Sequence, residues 1–103
     1  MANKSLKLRP LVVKDLETIW EFSVESWGEQ QAEAYIDGMF AAFDLIAGNP
    51  GLAPLNNVFN PPVRIHQHVS HLIVYVEGEQ EVSVVRILHN SVLLSLHLEQ
   101  LNH

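Results

Sequence analysis

The chain has no cysteine among its 103 residues. That absence removes disulfides, thiolate catalysis and cysteine-ligated zinc together, and it fits a reducing cytoplasm. Strong cations are scarce too. Six Lys and Arg stand against 12 Asp and Glu, for a formal charge of −6. Four of the six (Lys4, Lys7, Arg9, Lys14) lie within the first fourteen residues, and only Arg64 and Arg86 follow. A protein that grips nucleic acid through phosphates carries a basic face. The charge therefore argues against direct nucleic-acid binding and for a protein partner. Long apolar runs are also missing. Nothing approaches the ~20 residues that span a bilayer. The opening "MANKSLKLRP" has basic residues with no apolar segment behind them, so it is not a secretory signal. The expectation is a cytoplasmic protein without membrane contact.

What is present is the pattern of one globular domain, with 48% apolar residues. "SLKLR" alternates Leu6 and Leu8 with Lys7 and Arg9, which predicts a strand over 5–9, at or near a sheet edge. Pro10 ends it and can open a helix. Val12, Leu16, Ile19, Trp20, Val24 and Trp27 then recur at steps of three and four, with Ser23 as the weak point. This is one face of a helix over 11–27. Gly28 interrupts. Glu29 and Glu33 open a second helix over 29–47, where negative charge suits the positive end of the helix dipole. Its stripe is Ala32, Tyr35, Ile36, Met39, Phe40, Phe43, Ile46 and Ala47. "GNPG" stops it. The helical spacing of Trp20, Trp27, Tyr35, Phe40 and Phe43 predicts core packing, not a base-stacking platform. Glu17, Glu21 and Glu25 form a solvated face.

Residues 48–62 read as loop. Three strands fill 63–89: "VRIHQH", "HLIVYV" and "EVSVVRILH". The tail over 90–103 fits either a strand turn or a short amphipathic helix. The expected fold is α+β, in the order β-α-α-β-β-β, with a helical hairpin packed on one face of a small antiparallel sheet. It forms a single domain over 1–103. The last two strands are apolar on both faces. Leu72, Val74 and Val76 oppose Ile73 and Tyr75; Val82, Val84 and Leu88 oppose Val85 and Ile87. A wet second face should alternate polar and apolar residues. The pattern therefore implies a cover: the tail, a second copy or another protein.

Taken in order and spacing, "DLETIW", "WGEQQAEAYIDGMFAAFDLIAGNPGL", "SHLIVY" and "VRILH" resemble the ParE branch of the RelE/ParE toxin superfamily, from about Leu8 to His89. The resemblance implies the same layout and a type II toxin–antitoxin system. It implies a cognate ParD-like antitoxin whose C-terminal segment lies across the toxin, in a hetero-oligomer of the two, and inhibition of DNA gyrase. Two departures stand out. Val69 takes the place of a common glycine before the central strand. Val92 and Leu93 stand where the family commonly has Met-Asp.

The expected partner-binding residues are Arg64, His71, Ile73, Tyr75, Val85, Arg86, Ile87, His89, Val92 and Leu93. A second reading follows the RelE branch, a metal-independent, ribosome-dependent mRNA endonuclease. RNA cleavage through the neighbouring 2′-hydroxyl needs a base, an acid and a cation, which Arg64, Tyr75, Arg86 and His89 can supply. The acidic charge speaks against it, and so does Leu72, where the nuclease members have a basic residue. A third reading is a non-toxic member that only binds protein. His66, His68 and His71 in "HQHVSH" suggest a metal, but no carboxylate lies close in sequence. No metal or cofactor is expected. The plain alternative for Arg86 is an ion pair with an acidic side chain, and for His89 a hydrogen bond to a loop.

Overall fold

The computed structural model describes residues 4–91. β1 (Ser5–Leu8) leads into α1 (Pro10–Trp27), and α2 (Glu29–Gly48) returns against it. A 3-10 turn at Pro50–Leu52 and a two-residue strand β2 (Leu55–Asn56) come next. β3 (Val63–His68), β4 (His71–Glu77) and β5 (Glu81–His89) follow. Pro10 occupies the first position of α1, where its missing N–H costs nothing. The corner between the helices is Gly28, at φ 88°, a conformation that glycine adopts at little cost. Its N–H closes α1 on the Val24 carbonyl at 2.9 Å, and its own carbonyl accepts Ala32 N–H at 3.0 Å.

The sheet order is β1-β5-β4-β3-β2. β1 lies at an edge, as its alternating pattern suggests. It runs parallel to β5, with Ser5 opposite Glu81 and Leu8 opposite Val84. The other pairings are antiparallel. The sheet is therefore mostly but not wholly antiparallel. The hairpin and three further strands lie between these two parallel partners in sequence, so their pairing is long-range. β2 is a further correction, since it falls inside the stretch read as loop. Two residues are too few to carry a period.

A bulge breaks the register between β4 and β5. Val74 pairs with Arg86 and Tyr75 with Val84, which leaves Val85 as the extra residue. An extra residue resets the alternation beyond it. Ile87 therefore joins Val82 and Val84 in the helix-side core, while Leu88 joins Val85 on the other face. This reverses the grouping expected from unbroken alternation.

The main core lies between the hairpin and the sheet. Val12 and Ile19 of α1, and Met39, Phe43 and Ile46 of α2, pack on Ile73, Tyr75, Val82, Val84 and Ile87. Phe43, Met39 and Ile46 are each fully buried, worth about 1.5–3 kcal/mol apiece against exposure. The second face has a smaller cluster of its own. Val63, Val74, Val85 and Leu88 are buried there, with Phe59, Ile65 and Val76 against them. The aromatic stripe is less buried than its spacing suggests. Trp20, Trp27 and Phe40 remain 38%, 49% and 44% exposed. The two helices carry more apolar side chains than one face of a short sheet can cover.

Candidate functional site

Arg86 is the first charged residue to place. It meets Asp15 of α1. Arg86 Nε donates to Oδ2 at 2.9 Å, and Nη2 donates to Oδ1 at 3.1 Å. The Ile87 N–H donates to the same Oδ2 at 2.9 Å. The cause is topological. β1 pairs with β5 only as far as Val84, so the rest of β5 has a bare edge. Asp15 caps that edge and the guanidinium at once. This planar two-point pair is a strong and orientation-specific contact.

A second charged group lies across β4 from Arg86, which pairs with Val74. Arg64 is directly opposite Tyr75. Its Nη1 donates to the Ala53 carbonyl, and its Nε sits 3.3 Å from Glu77 Oε1. Glu77 also accepts a hydrogen bond from Lys4 Nζ at 2.8 Å. That bond, with the cationic charge of Lys4 and Arg64, holds the Glu77 carboxyl below its usual range. Tyr75 is fully buried and donates its hydroxyl to the Pro50 carbonyl at 2.6 Å. Burial pushes this phenol up, away from ionisation.

A histidine end completes the set. His71 and His89 face each other across β4 and β5, with ring centroids 5.5 Å apart. The Tyr35 hydroxyl lies 2.6 Å from His71 Nδ1. Burial lowers His71, helped by the nearby His89 and His68, and burial raises Tyr35. Both are neutral at pH 7, and the His71 tautomer sets which of the two donates. His89 Nδ1 accepts the Ser91 N–H at 3.1 Å and lies 2.7 Å from its hydroxyl.

Next to this end is a cleft of about 530 Å³ between the α1–α2 corner and the β3–β4 turn. Trp27, Tyr35 and His68 wall it, with Tyr35 6.0 Å from the Trp27 ring and 5.6 Å from the His68 ring. Two backbone oddities meet there. Val69, on the rim, has φ 51° and is 66% exposed. A β-branched residue in that region is strained by about 1–3 kcal/mol. Gly38 sits inside α2, where glycine costs about 1 kcal/mol against alanine. A Cβ there would meet His68 Nε2 at 3.3 Å.

The expected residues therefore separate. Ile73, Tyr75 and Ile87 are core residues beneath the hairpin, so they cannot form a contact surface. Val85 is buried in the second-face cluster. Val92 and Leu93 lie outside the described residues. Arg64, His71 and Arg86 are half-buried and His89 is exposed. The four residues of the nuclease reading do not assemble. Tyr75 and Arg64 are one cross-strand pair, and His71 and His89 are another, four residues along β4, or ~13 Å. Arg64 and Arg86 are held by carboxylates, and the Tyr75 hydroxyl is committed to a carbonyl. Among the described residues, no group of three His, Asp or Glu could hold a metal ion. Sequence reasoning missed Asp15, which looked like any solvated helical acid, and Tyr35, which the stripe assigned to the core.

The family model described as the ParE toxin of type II toxin–antitoxin system, parDE, matches residues 6–93. The chain belongs to the ParE toxin family. It is similar to Toxin ParE1 of Mycobacterium tuberculosis, with 36% identity over 83 residues, 80% of this chain and 85% of that protein. It is also similar to Toxin ParE1 of Caulobacter vibrioides, with 30% identity over 95 residues, 92% of this chain and 98% of the relative. Among solved structures, a chain of the chromosomal ParDE TA system from P. aeruginosa matches with a TM-score of 0.71. That match has 17% identity and covers 84% of this chain and 95% of the other. At that identity the likeness speaks to the fold. As a ParE family member, the chain is a toxin of the type II toxin–antitoxin class. Its described residues include no helix long and apolar enough to cross a membrane.

Proposed function

We propose that this ParE family member is silenced by a ParD-like antitoxin and, when free, inhibits DNA gyrase by binding it in the cytoplasm. Family membership across residues 6–93 supports the antitoxin, because the family description names the parDE pair. The observation that carries binding over catalysis is the dispersal of the polar residues. Both arginines of the sheet are already paired, Arg64 with Glu77 and Arg86 with Asp15. A nuclease needs a free cation beside its acid and base. The reachable part of the expected contact set is His89 and the half-buried His71, with the exposed flanks of Arg64 and Arg86. Arg86 then anchors the register of an apolar strand.

The test is induction of this chain in bacteria, with and without the antitoxin gene encoded beside it. Growth, plasmid supercoiling and translation are read together. The proposal expects arrest with altered supercoiling or DNA breaks, relieved by the antitoxin. Arrest with intact DNA and failing translation would move the chain to the nuclease reading. Normal growth from a folded product would leave a protein-binding module.

A further inference from the structure

Two local concessions converge on the aromatic cleft. Val69 puts a β-branched side chain at φ 51° and leaves it largely in solvent. Its methyl groups gain little from the core that would offset the strain. Gly38 gives up helix stability in the middle of α2, and a Cβ at that position would press on the His68 ring at 3.3 Å. The glycine thus leaves room for the imidazole. Departures from local preference that line one cavity point to a role outside folding.

The cleft's chemistry narrows its occupant. The rings of Trp27 and Tyr35 are 6.0 Å apart, and those of Tyr35 and His68 are 5.6 Å apart. Trp27 is half in solvent, so its face is available. Burial keeps Tyr35 protonated and His68 neutral, so neither contributes a charge at pH 7. The surroundings are anionic. No Lys or Arg occurs between Asp15 and Val63. Glu25, Glu29, Glu33 and Asp37 are all exposed on the two helices that form the cleft. Every formal charge on these two helices beyond Lys14 is thus negative, and aromatic faces in such a field attract a cation, with tryptophan the best of the aromatic partners. A second copy of this chain, with its formal charge of −6, would bring like charge to the same helices.

We propose that the cleft receives an arginine or lysine side chain of the antitoxin, with the cationic head against Trp27 and Tyr35 and the aliphatic stem along Val69. The proposal rests on the antitoxin reading above and adds the side chain that is recognised. In this account Val69 is exposed and strained because its methyl groups complete a wall for the stem.

The experiment titrates the purified chain with the purified antitoxin encoded beside it, by calorimetry, at low and high salt. Trp27→Ala is expected to weaken binding by about tenfold and to reduce its salt dependence. Val69→Gly relieves strain. It is expected to weaken binding severalfold while the free chain melts no lower than the unaltered one. Replacing the antitoxin's Arg and Lys residues by Met, one at a time, should find one position whose loss makes Trp27→Ala silent. Equal affinity of both variants would overturn the cleft proposal and leave the antitoxin reading intact. So would a weakened gyrase effect with an unchanged antitoxin affinity, or self-association of the chain that Trp27→Ala abolishes. No complex with the unaltered chain would overturn both readings.

Discussion

Asp15 and Arg86 stand 71 residues apart in sequence, and one carboxylate serves both the guanidinium and the backbone N–H of the next residue. The pair is mostly buried, with side-chain exposures of 14% and 17%. It joins α1 to the part of β5 that β1 does not reach. Asp15→Asn keeps the shape but removes the charge. It should cost about 2–4 kcal/mol, because the guanidinium is left unpaired in a half-dry site. Replacing both residues together, Asp15→Leu with Arg86→Met, should cost less than Asp15→Asn alone. Urea unfolding of the unaltered chain, Asp15→Asn, Asp15→Leu, Arg86→Met and the double variant measures this. A double replacement as costly as the sum of the singles would mean that the two residues are not coupled.

Tyr75 gives a sharper separation between structural and chemical roles. Its hydroxyl donates to the Pro50 carbonyl from a fully buried ring. Tyr75→Phe should lower stability by about 1–2 kcal/mol, the cost of a buried carbonyl losing its donor. Toxicity should survive wherever the protein still folds. Loss of toxicity from a variant with an unchanged melting curve would return Tyr75 to the list of chemical groups.

These two tyrosine and aspartate contacts mark where sequence reasoning reached its limit. The helical hairpin was legible, because apolar steps of three and four run unbroken to Trp27 and Gly28 has no other use. β3 was legible from its alternation of Val63 and Ile65 with Arg64 and His66, and β4 and β5 as apolar runs between turns. Asp15 carries no local signal, since a mid-helix acid reads as solvated until a strand arrives beside it. The parallel pairing of β1 follows from a crossover that periodicity does not encode. The bulge at Val85 was hidden because "VSVV" is apolar at nearly every position, so one extra residue changes no pattern. Trp27 and Phe40 fitted a helical stripe, but a stripe does not say how wide the sheet beneath it is. In sequence Val69 is only a replaced glycine, and its positive φ belongs to the folded β3–β4 turn.

Glu77 ties β1's approach to the end of β4, through Lys4 Nζ at 2.8 Å and Arg64 Nε at 3.3 Å. Hydrogen bonding from Lys4 and the two positive charges lower its folded pKa below the ordinary 4.5. A lowered carboxyl stabilises the fold above its unfolded pKa, and that contribution disappears as pH falls through the folded value. Glu77→Gln should therefore destabilise the chain at pH 7 and make no difference well below pH 4. The group is partly in water, so the loss should stay below about 1 kcal/mol and shrink in high salt. Melting curves at the two pH values, with and without salt, test it. A variant equally destabilised at both pH values would show that shape rather than charge matters at this position.

His71 sets the behaviour at higher pH. Burial lowers its folded pKa below 6.5; the proximity of His89 and His68 adds to this, and Asp15 opposes it weakly. Its Nδ1 is occupied by the Tyr35 hydroxyl at 2.6 Å. The unfolded chain therefore binds a proton at this site more readily than the folded one. Stability is complete above the unfolded value and falls as pH drops from about 6.5 toward the folded pKa. His68 is lowered in the same direction by burial and His66, so the two effects add. The melting temperature of the free chain should be flat above pH 7 and decline between pH 6.5 and 5, before most carboxylates titrate. His71→Asn should melt lower at pH 7.5, because the Tyr35 bond is lost, and should show a shallower decline below it. A melting temperature that climbs as pH falls through this window would mean that His71 gains a stabilising charge in the fold.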